Sequence, residues 1–420
     1  MPIAFPLSSG PKLSVMIAAE LANRKEAPIR HKDQKIDVAG NVAFAGGLTL
    51  ILIAITYGLM PYGSSTMGWS NPWVILSLIV GFAMVVAFVF IERIVSQPMF
   101  NMGLFKSRPF TAGSVSGMLQ SMGMGGAMFM LIILLQGVWL PLHGYNYNVV
   151  PFWAGIYMVP MMLGFVVLGP VSGALSDRIG ARVISSVGMA ISAVSFLLLA
   201  TLSYNFAYID FGLMLFMMGA GMGMFAAPNI TAVMNSVAPQ QRGVASGMRA
   251  TLQNTGQTAS MGIFFTIVLV SLTTRLPGAF TTALASANAP ELIPYFINIP
   301  PTSALFSAFL GYNPVATILS LFPSSFTSLI SGSTLTLLEG KTWFPNALAG
   351  SFMGSLRVSF YLGAIIFAVA AILSAVRGKR YIHSESNIYP GSEPERPVQT
   401  GSVNTPAAQV DPKAIKTESR

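Results

Sequence analysis

Gly169-Pro-Val-Ser-Gly-Ala-Leu-Ser-Asp-Arg-Ile-Gly-Ala-Arg182 holds the only charged side chains between Arg108 and Asp210. Long apolar runs flank it on both sides. About 20 apolar residues in helical form cross a bilayer, and each run is long enough to do so. Ser176 to Arg182 therefore reads as a very tight hairpin between two membrane helices, with Asp177, Arg178 and Arg182 at one water interface. Every other segment takes its orientation from this turn.

Composition supports the same reading. The 420 residues are 53% hydrophobic and 9% charged, against roughly 25% charged in a soluble domain. No Asp, Glu, Lys or Arg occurs from Val38 to Ile91 or from Pro109 to Ser176. The alternating ten-residue strands of a membrane barrel are absent from the pattern, so the expected class is an all-α polytopic membrane protein. The net charge of +9 sits in short loops between apolar runs, which marks membrane orientation rather than a nucleic-acid face. Without cysteine, thiolate chemistry is excluded, and His31, His143 and His383 are too scattered to suggest a metal site. No nucleophile–base pair or phosphate-cradling loop points to an enzyme, and no cofactor is expected.

Eight spans follow, at about 41–60, 73–92, 110–136, 150–175, 183–203, 208–232, 250–272 and 350–376. Lys and Arg gather in the N-terminal arm (1–40), around Lys106 and Arg108, in the hairpin, at Arg242 and at Arg377 to Arg380. The opposite loops hold only Arg275 and Lys341. The positive-inside rule then places both termini in the cytoplasm of a cell-membrane protein. All five Trp (69, 73, 139, 153 and 343) fall on the other side, as half of an aromatic belt. The segment 273–346 reads as a long outer loop with re-entrant or interfacial helices, because a span at 315–338 would put the basic 377–380 cluster outside. Residues 381–420 read as a disordered cytoplasmic tail.

Gly173-x-x-x-Asp177-Arg178-x-Gly180-x-Arg182 between two spans resembles the loop motif of the major facilitator superfamily. Arg242-Gly243-Val-Ala-Ser-Gly-Met-Arg249-Ala-Thr-Leu-Gln-Asn-Thr-Gly256-Gln257 is similar to the same region of fourteen-span drug:proton antiporters. Lys35-Ile-Asp37-Val-Ala-Gly40, Asn313-Pro314 and Trp343-Phe344-Pro345 add to the likeness, which covers about Lys35 to Arg380. The registration implies a two-helix membrane insert (41–108) and the C-terminal six-helix half (109–380), with the N-terminal half missing. In that family the missing half carries the proline–glycine antiporter motif and commonly the proton-coupling carboxylates. Gln136 stands where the family often has an aromatic.

Several residues are candidates for function. Gly173, Asp177, Arg178, Gly180 and Arg182 form either a latch of the cytoplasmic gate or a structural turn, with Asp177 able to accept backbone N–H groups at the start of the fifth span. Arg242 and Arg249 flank the seventh span. Gln253 and Gln257 share one of its faces; with Gln136, Asn229 and Asn254 they line a water-filled path or bond neighbouring helices. Glycines 219, 221 and 223 suggest close helix packing. Methionines 118, 122, 124, 128, 130, 214, 217, 218, 222 and 224 read as packing or lipid-facing, or as an adaptable surface for hydrophobic ligands. The expected function is small-molecule efflux by alternating access, for hydrophobic or cationic substrates. Protons as coupling ion rest on the resemblance alone. The chain would need a separate N-terminal half or a second copy; the alternative is a truncated or accessory membrane subunit.

Overall fold

The computed structural model describes residues 37–378 apart from 64, 66, 96, 97, 99 and 321–329. Most of the N-terminal arm and all of the 381–420 tail lie outside the described residues. Among the described residues, eight helices are long and apolar enough to cross a membrane. They are α1 (Val38–Gly58), α2 (Pro72–Ile94), α3 (Arg108–Leu142), α4 (Val150–Ile179), α5 (Ala181–Leu199), α6 (Tyr208–Asn235), α7 (Arg242–Ser286) and, after several short helices, a last one at Trp343–Ala375. Besides single turns at Pro290–Leu292 and Ile293–Phe296, the short ones include α8 (Pro301–Leu310), α9 (Pro314–Leu319) and α10 (Gly332–Leu338), and the last long helix is labelled α11.

Local chemistry sets the helix starts. Asp37 caps α1, its Oδ1 accepting from Gly40 N at 2.8 Å. Asn71 caps α2 in the same way through Trp73 N at 3.0 Å, with Pro72 in the first turn. Proline there sacrifices no helical hydrogen bond. Glu92, near the end of α2, is buried and its Oε2 accepts from Phe100 N at 3.1 Å, which ties the α2–α3 connector to the helix.

The helices alternate in direction, so one end of the bundle collects the Gly180 turn, Arg242 and Arg377; it is called here the basic end. Lipid tails are as apolar as leucine, so helix association depends on close packing and interhelical hydrogen bonds. In α6 small residues do this on two faces. A Cβ on Gly219 would lie 1.9 Å from the Met161 carbonyl oxygen of α4, and one on Gly221 would lie 2.4 Å from the Gly188 oxygen of α5. Ser172 Oγ donates to Gly223 O at 3.3 Å and Ser192 Oγ to Met218 O at 3.2 Å. The packing role read from these glycines is what the geometry shows. On the other side, α11 meets α5 through Phe196 and Phe367, whose rings stack at 5.3 Å. α1 and α2 pair with each other, and α1 touches α7 near Ile55 and Gly262.

The outer segment differs from the expected loop. α7 does not stop near 272 but runs on to Ser286, and α11 begins at Trp343. At 1.5 Å per residue, α7 is about 68 Å long, roughly twice the hydrocarbon thickness. Its extension carries Phe280, which packs on Phe296 and Phe344 at 5.6 and 5.8 Å. These side chains give the far end a small aromatic core of its own. The described parts of 315–338 are the short α9 and α10, neither long enough to span.

Two further expectations need correction. Trp139 is not part of a lipid-facing belt: it is 4% exposed, stacks on Phe206 and donates its indole N–H to the Phe206 carbonyl at 3.1 Å. Arg275, expected in an outer loop, lies inside α7, and Arg357 lies inside α11. Arg357 Nη2 donates to the Leu202 carbonyl at 2.9 Å, at the end opposite the Gly180 turn. The methionines fit the packing reading best: Met130, Met218 and Met222 are fully buried and the others half-buried.

Candidate functional site

The hairpin reduces to one residue. α4 ends at Ile179 and α5 begins at Ala181, with Gly180 between them at φ 100°. Side chains other than glycine rarely adopt that φ, so the turn requires this residue. Gly180 N donates back to Ser176 O at 2.8 Å. Asp177 and Arg178 belong to the last turn of α4 and Arg182 to the first turn of α5, all three exposed. Asp177 does not cap α5, which has no side-chain cap; the one-residue turn leaves the carboxylate behind on the preceding helix. Gly173 is not at a close approach either, since a Cβ there would meet only Ala227 Cβ at 3.9 Å.

Behind this turn lies a line of polar side chains. Asn229 of α6 is 1% exposed, and its Nδ2 donates to the Gly113 carbonyl of α3 at 3.0 Å. Its Oδ1 accepts from Nη2 of Arg377, just past α11. Arg377 is buried, and burial pushes its pKa down to about 10, so it remains charged at neutral pH. From the other side, Arg249 Nη1 donates to Gln253 Oε1 at 3.0 Å along α7. Gln253 and Asn229 approach the same spot on α3: a Cβ on Gly117 would lie 3.2 Å from Gln253 Nε2 and 3.3 Å from Asn229 Nδ2. The absence of side chains at Gly113 and Gly117 lets α7, α6 and the end of α11 bring these groups together against α3.

The structure thus unites Arg249, Gln253 and Asn229 and leaves other candidates apart. Arg242 and Gly243 are exposed at the start of α7. Gln136 is half-buried in a π-type turn of α3, Leu135–Trp139, toward the other end. Asn254 and Gln257 are exposed on α7, beside exposed Thr258. Gln257 lies about 22 Å along the helix from Arg242, at the level of the bilayer interior. Sequence reasoning missed Arg377, treated as one of a topological cluster, and Gly113 and Gly117. The available signal was the four-residue glycine spacing in α3, typical of close helix approach.

A crevice of about 630 Å³ opens next to Thr258, between α1, α3, α7 and α8. Ile55, Phe129, Met261, Phe265 and Phe306 make its walls apolar. The volume falls in the range of drug-sized sites.

Residues 35–261 match the family model described as "Major Facilitator Superfamily". Among curated proteins, the chain is 26% identical to the multidrug transporter protein MdtP of Bacillus subtilis, over 86% of this chain and 61% of that protein. It is 30% identical to the methyl viologen resistance protein SmvA of Salmonella typhimurium, over 72% of this chain and 60% of that one. The riboflavin transporter RibZ of Clostridioides difficile is 25% identical over 58% and 49% respectively. The chain spans about three fifths of the length of the first two relatives. With a family match over more than half of its residues and eight membrane-length helices, this chain belongs to the Major Facilitator Superfamily.

Proposed function

We propose that this chain is part of a multidrug or small-molecule exporter that works by alternating access with the basic end in the cytoplasm. In this reading α1 and α2 are a middle pair and α3 to α7 with α11 are one six-helix half. Relatives named for multidrug transport and for resistance to a toxic compound support export rather than catalysis. The observation that carries the proposal is the exposed polar strip Asn254, Gln257 and Thr258 at mid-depth on α7. Amide side chains are costly against lipid, so the strip calls for a water-filled path or a second membrane body. A six-helix partner half, or a second copy of this chain, would cover it and complete a midplane site. The adjoining apolar crevice suits hydrophobic or cationic aromatic substrates. Proton coupling would draw on carboxylates of the partner half, and Asp177, Arg178 and Arg182 would latch the basic end in one state.

The test is dye flux in proteoliposomes with an imposed pH gradient, using an ethidium-type cation. Flux is expected when this chain is combined with a complementary six-helix half or assembles as a dimer. Gradient-driven flux from the monomeric chain would overturn the half-transporter reading; no flux in any combination would favour an accessory subunit.

A further inference from the structure

The crevice of about 630 Å³ draws its walls from α1, α3, α7 and α8. None of the four brings a charge to it. α1 and α8 contain no Asp, Glu, Lys or Arg, α3 has none after Arg108, and α7 has none between Arg249 and Arg275. Thr258 and Phe265, at the two ends of the α7 wall, lie about 14 Å along the helix from those arginines. The hydroxyls of Thr56 and Thr258 donate to Leu52 O and Asn254 O, each at 2.9 Å within its own helix. The walls therefore hold little unmet polarity, with Thr302 and Ser303 of α8 as the other hydroxyls.

Rings from three of these elements meet in the crevice. Phe265 of α7 lies edge-on to Phe129 of α3 at 5.7 Å and tilted against Phe306 of α8 at 5.8 Å. Such contacts favour a further ring over an alkyl chain. Phe306 is 41% exposed, so part of its surface remains open to a guest. Met60 and Met261 add polarizable side chains that adapt to ring edges. Gly262, where α1 meets α7 through Ile55, lies about 30 Å along α7 from Arg242. The crevice therefore lies toward the end of the bundle away from the basic one.

We propose that this crevice binds an uncharged aromatic molecule, with Phe129, Phe265 and Phe306 as the recognising rings. A cation there would lose its hydration without gaining a counter-charge, and the attraction of ring faces is smaller than that cost. Cationic substrates would need a counter-charge from the partner half, so the chain by itself selects neutral ones. As a statement of substrate class this rests on the exporter reading; the binding itself does not.

The experiment uses the full chain in phosphatidylcholine nanodiscs and benzophenone, a neutral aromatic that photolabels nearby C–H groups, those of methionine most readily. Labelled residues are mapped by mass spectrometry. Met60 and Met261, 49% and 42% exposed, should label saturably. Met162 on α4, 38% exposed but outside the crevice, should not. Acridine, kept uncharged by mildly alkaline buffer, should displace the label at about tenfold lower concentration than N-methylacridinium, its permanently charged counterpart. Phe306→Ala should weaken labelling about tenfold through the lost ring contact. Ser303→Trp should block it by filling the space. Both side chains are exposed, so the fold tolerates either change. Equal labelling of Met162 and Met261, or labelling unaltered in the two variants, overturns the proposal. So does displacement by N-methylacridinium at the same concentration as acridine, which removes the selectivity for neutral ligands. Displacement by dodecane would assign the crevice to acyl chains and overturn the aromatic assignment. None of these readouts involves flux, so saturable labelling without transport would count against the exporter reading and leave this site standing.

Discussion

At the scale of single residues, the backbone approaches in α6 leave little room for error. Gly219→Ala would drive a methyl group to 1.9 Å from a carbonyl oxygen of α4, and backbone cannot step aside as a side chain can. Overpacking of this kind costs about 1–3 kcal/mol or more. Gly169→Ala, in the same region but with nothing within 4 Å of the new carbon, should stay within about 0.5 kcal/mol of the parent. Thermal unfolding in detergent separates the two; equal melting temperatures would mean that α4 and α6 are not this close. The Asn229 node makes a second demand. Asn229→Leu strips Arg377 and the Gly113 carbonyl of their partner together, and should cost about 2–3 kcal/mol. Asn229→Asp retains the acceptor for Arg377 and should lose less. An equal loss in both variants would show that packing at position 229 matters and the hydrogen bonds do not.

At the scale of one element, α7 carries two glutamines with different fates. Gln253 turns inward, receives Arg249 and meets α3 at Gly117. Gln257 is exposed four residues later. Gln257→Leu should therefore leave the stability of this chain unchanged within about 0.5 kcal/mol, yet reduce dye flux once a partner half is supplied. Gln253→Leu should lower the melting temperature as well, because Arg249 loses its acceptor. Unaltered flux in Gln257→Leu would remove the exposed strip from the transport path. The spacing of the two glutamines was legible in the sequence and puts them on one side of α7. Both lie against α3, Gln253 at Gly117 and the Cγ of Gln257 at Gly125; which of them keeps its amide exposed was not legible, because that depends on where α3 and its glycines lie. The length of α7 was equally hidden: Arg275 and Pro277 look like the end of a span, while Phe280 and Leu284 continue the buried face beyond it.

For the whole molecule, orientation can be read from chemistry the chain itself lacks. It contains no cysteine, so single introduced thiols report sidedness without background. Gly243→Cys, at an open and exposed position on the basic end, should react with a membrane-impermeant maleimide only from the cytoplasmic face. Asn148→Cys, exposed in the α3–α4 loop, should react only from outside. The reverse pattern would invert the proposed topology.

The division between sequence and structure has a plain physical basis. Long charge-free runs punctuated by Asp177, Arg178 and Arg182 were enough to determine eight membrane-length helices, since bilayer thickness and unpaired backbone groups constrain each span separately. The one-residue turn at Gly180 was nearly legible for the same reason: its residues are neighbours in the chain. Arg377, Asn229 and Gly113 are far apart in sequence and look respectively like a topology signal, a polar residue beside a proline and a small packing residue. Only the packing of α3, α6 and α11 brings them into contact, because burial and hydrogen bonding depend on where the helices lie relative to one another and not on the composition of any one of them.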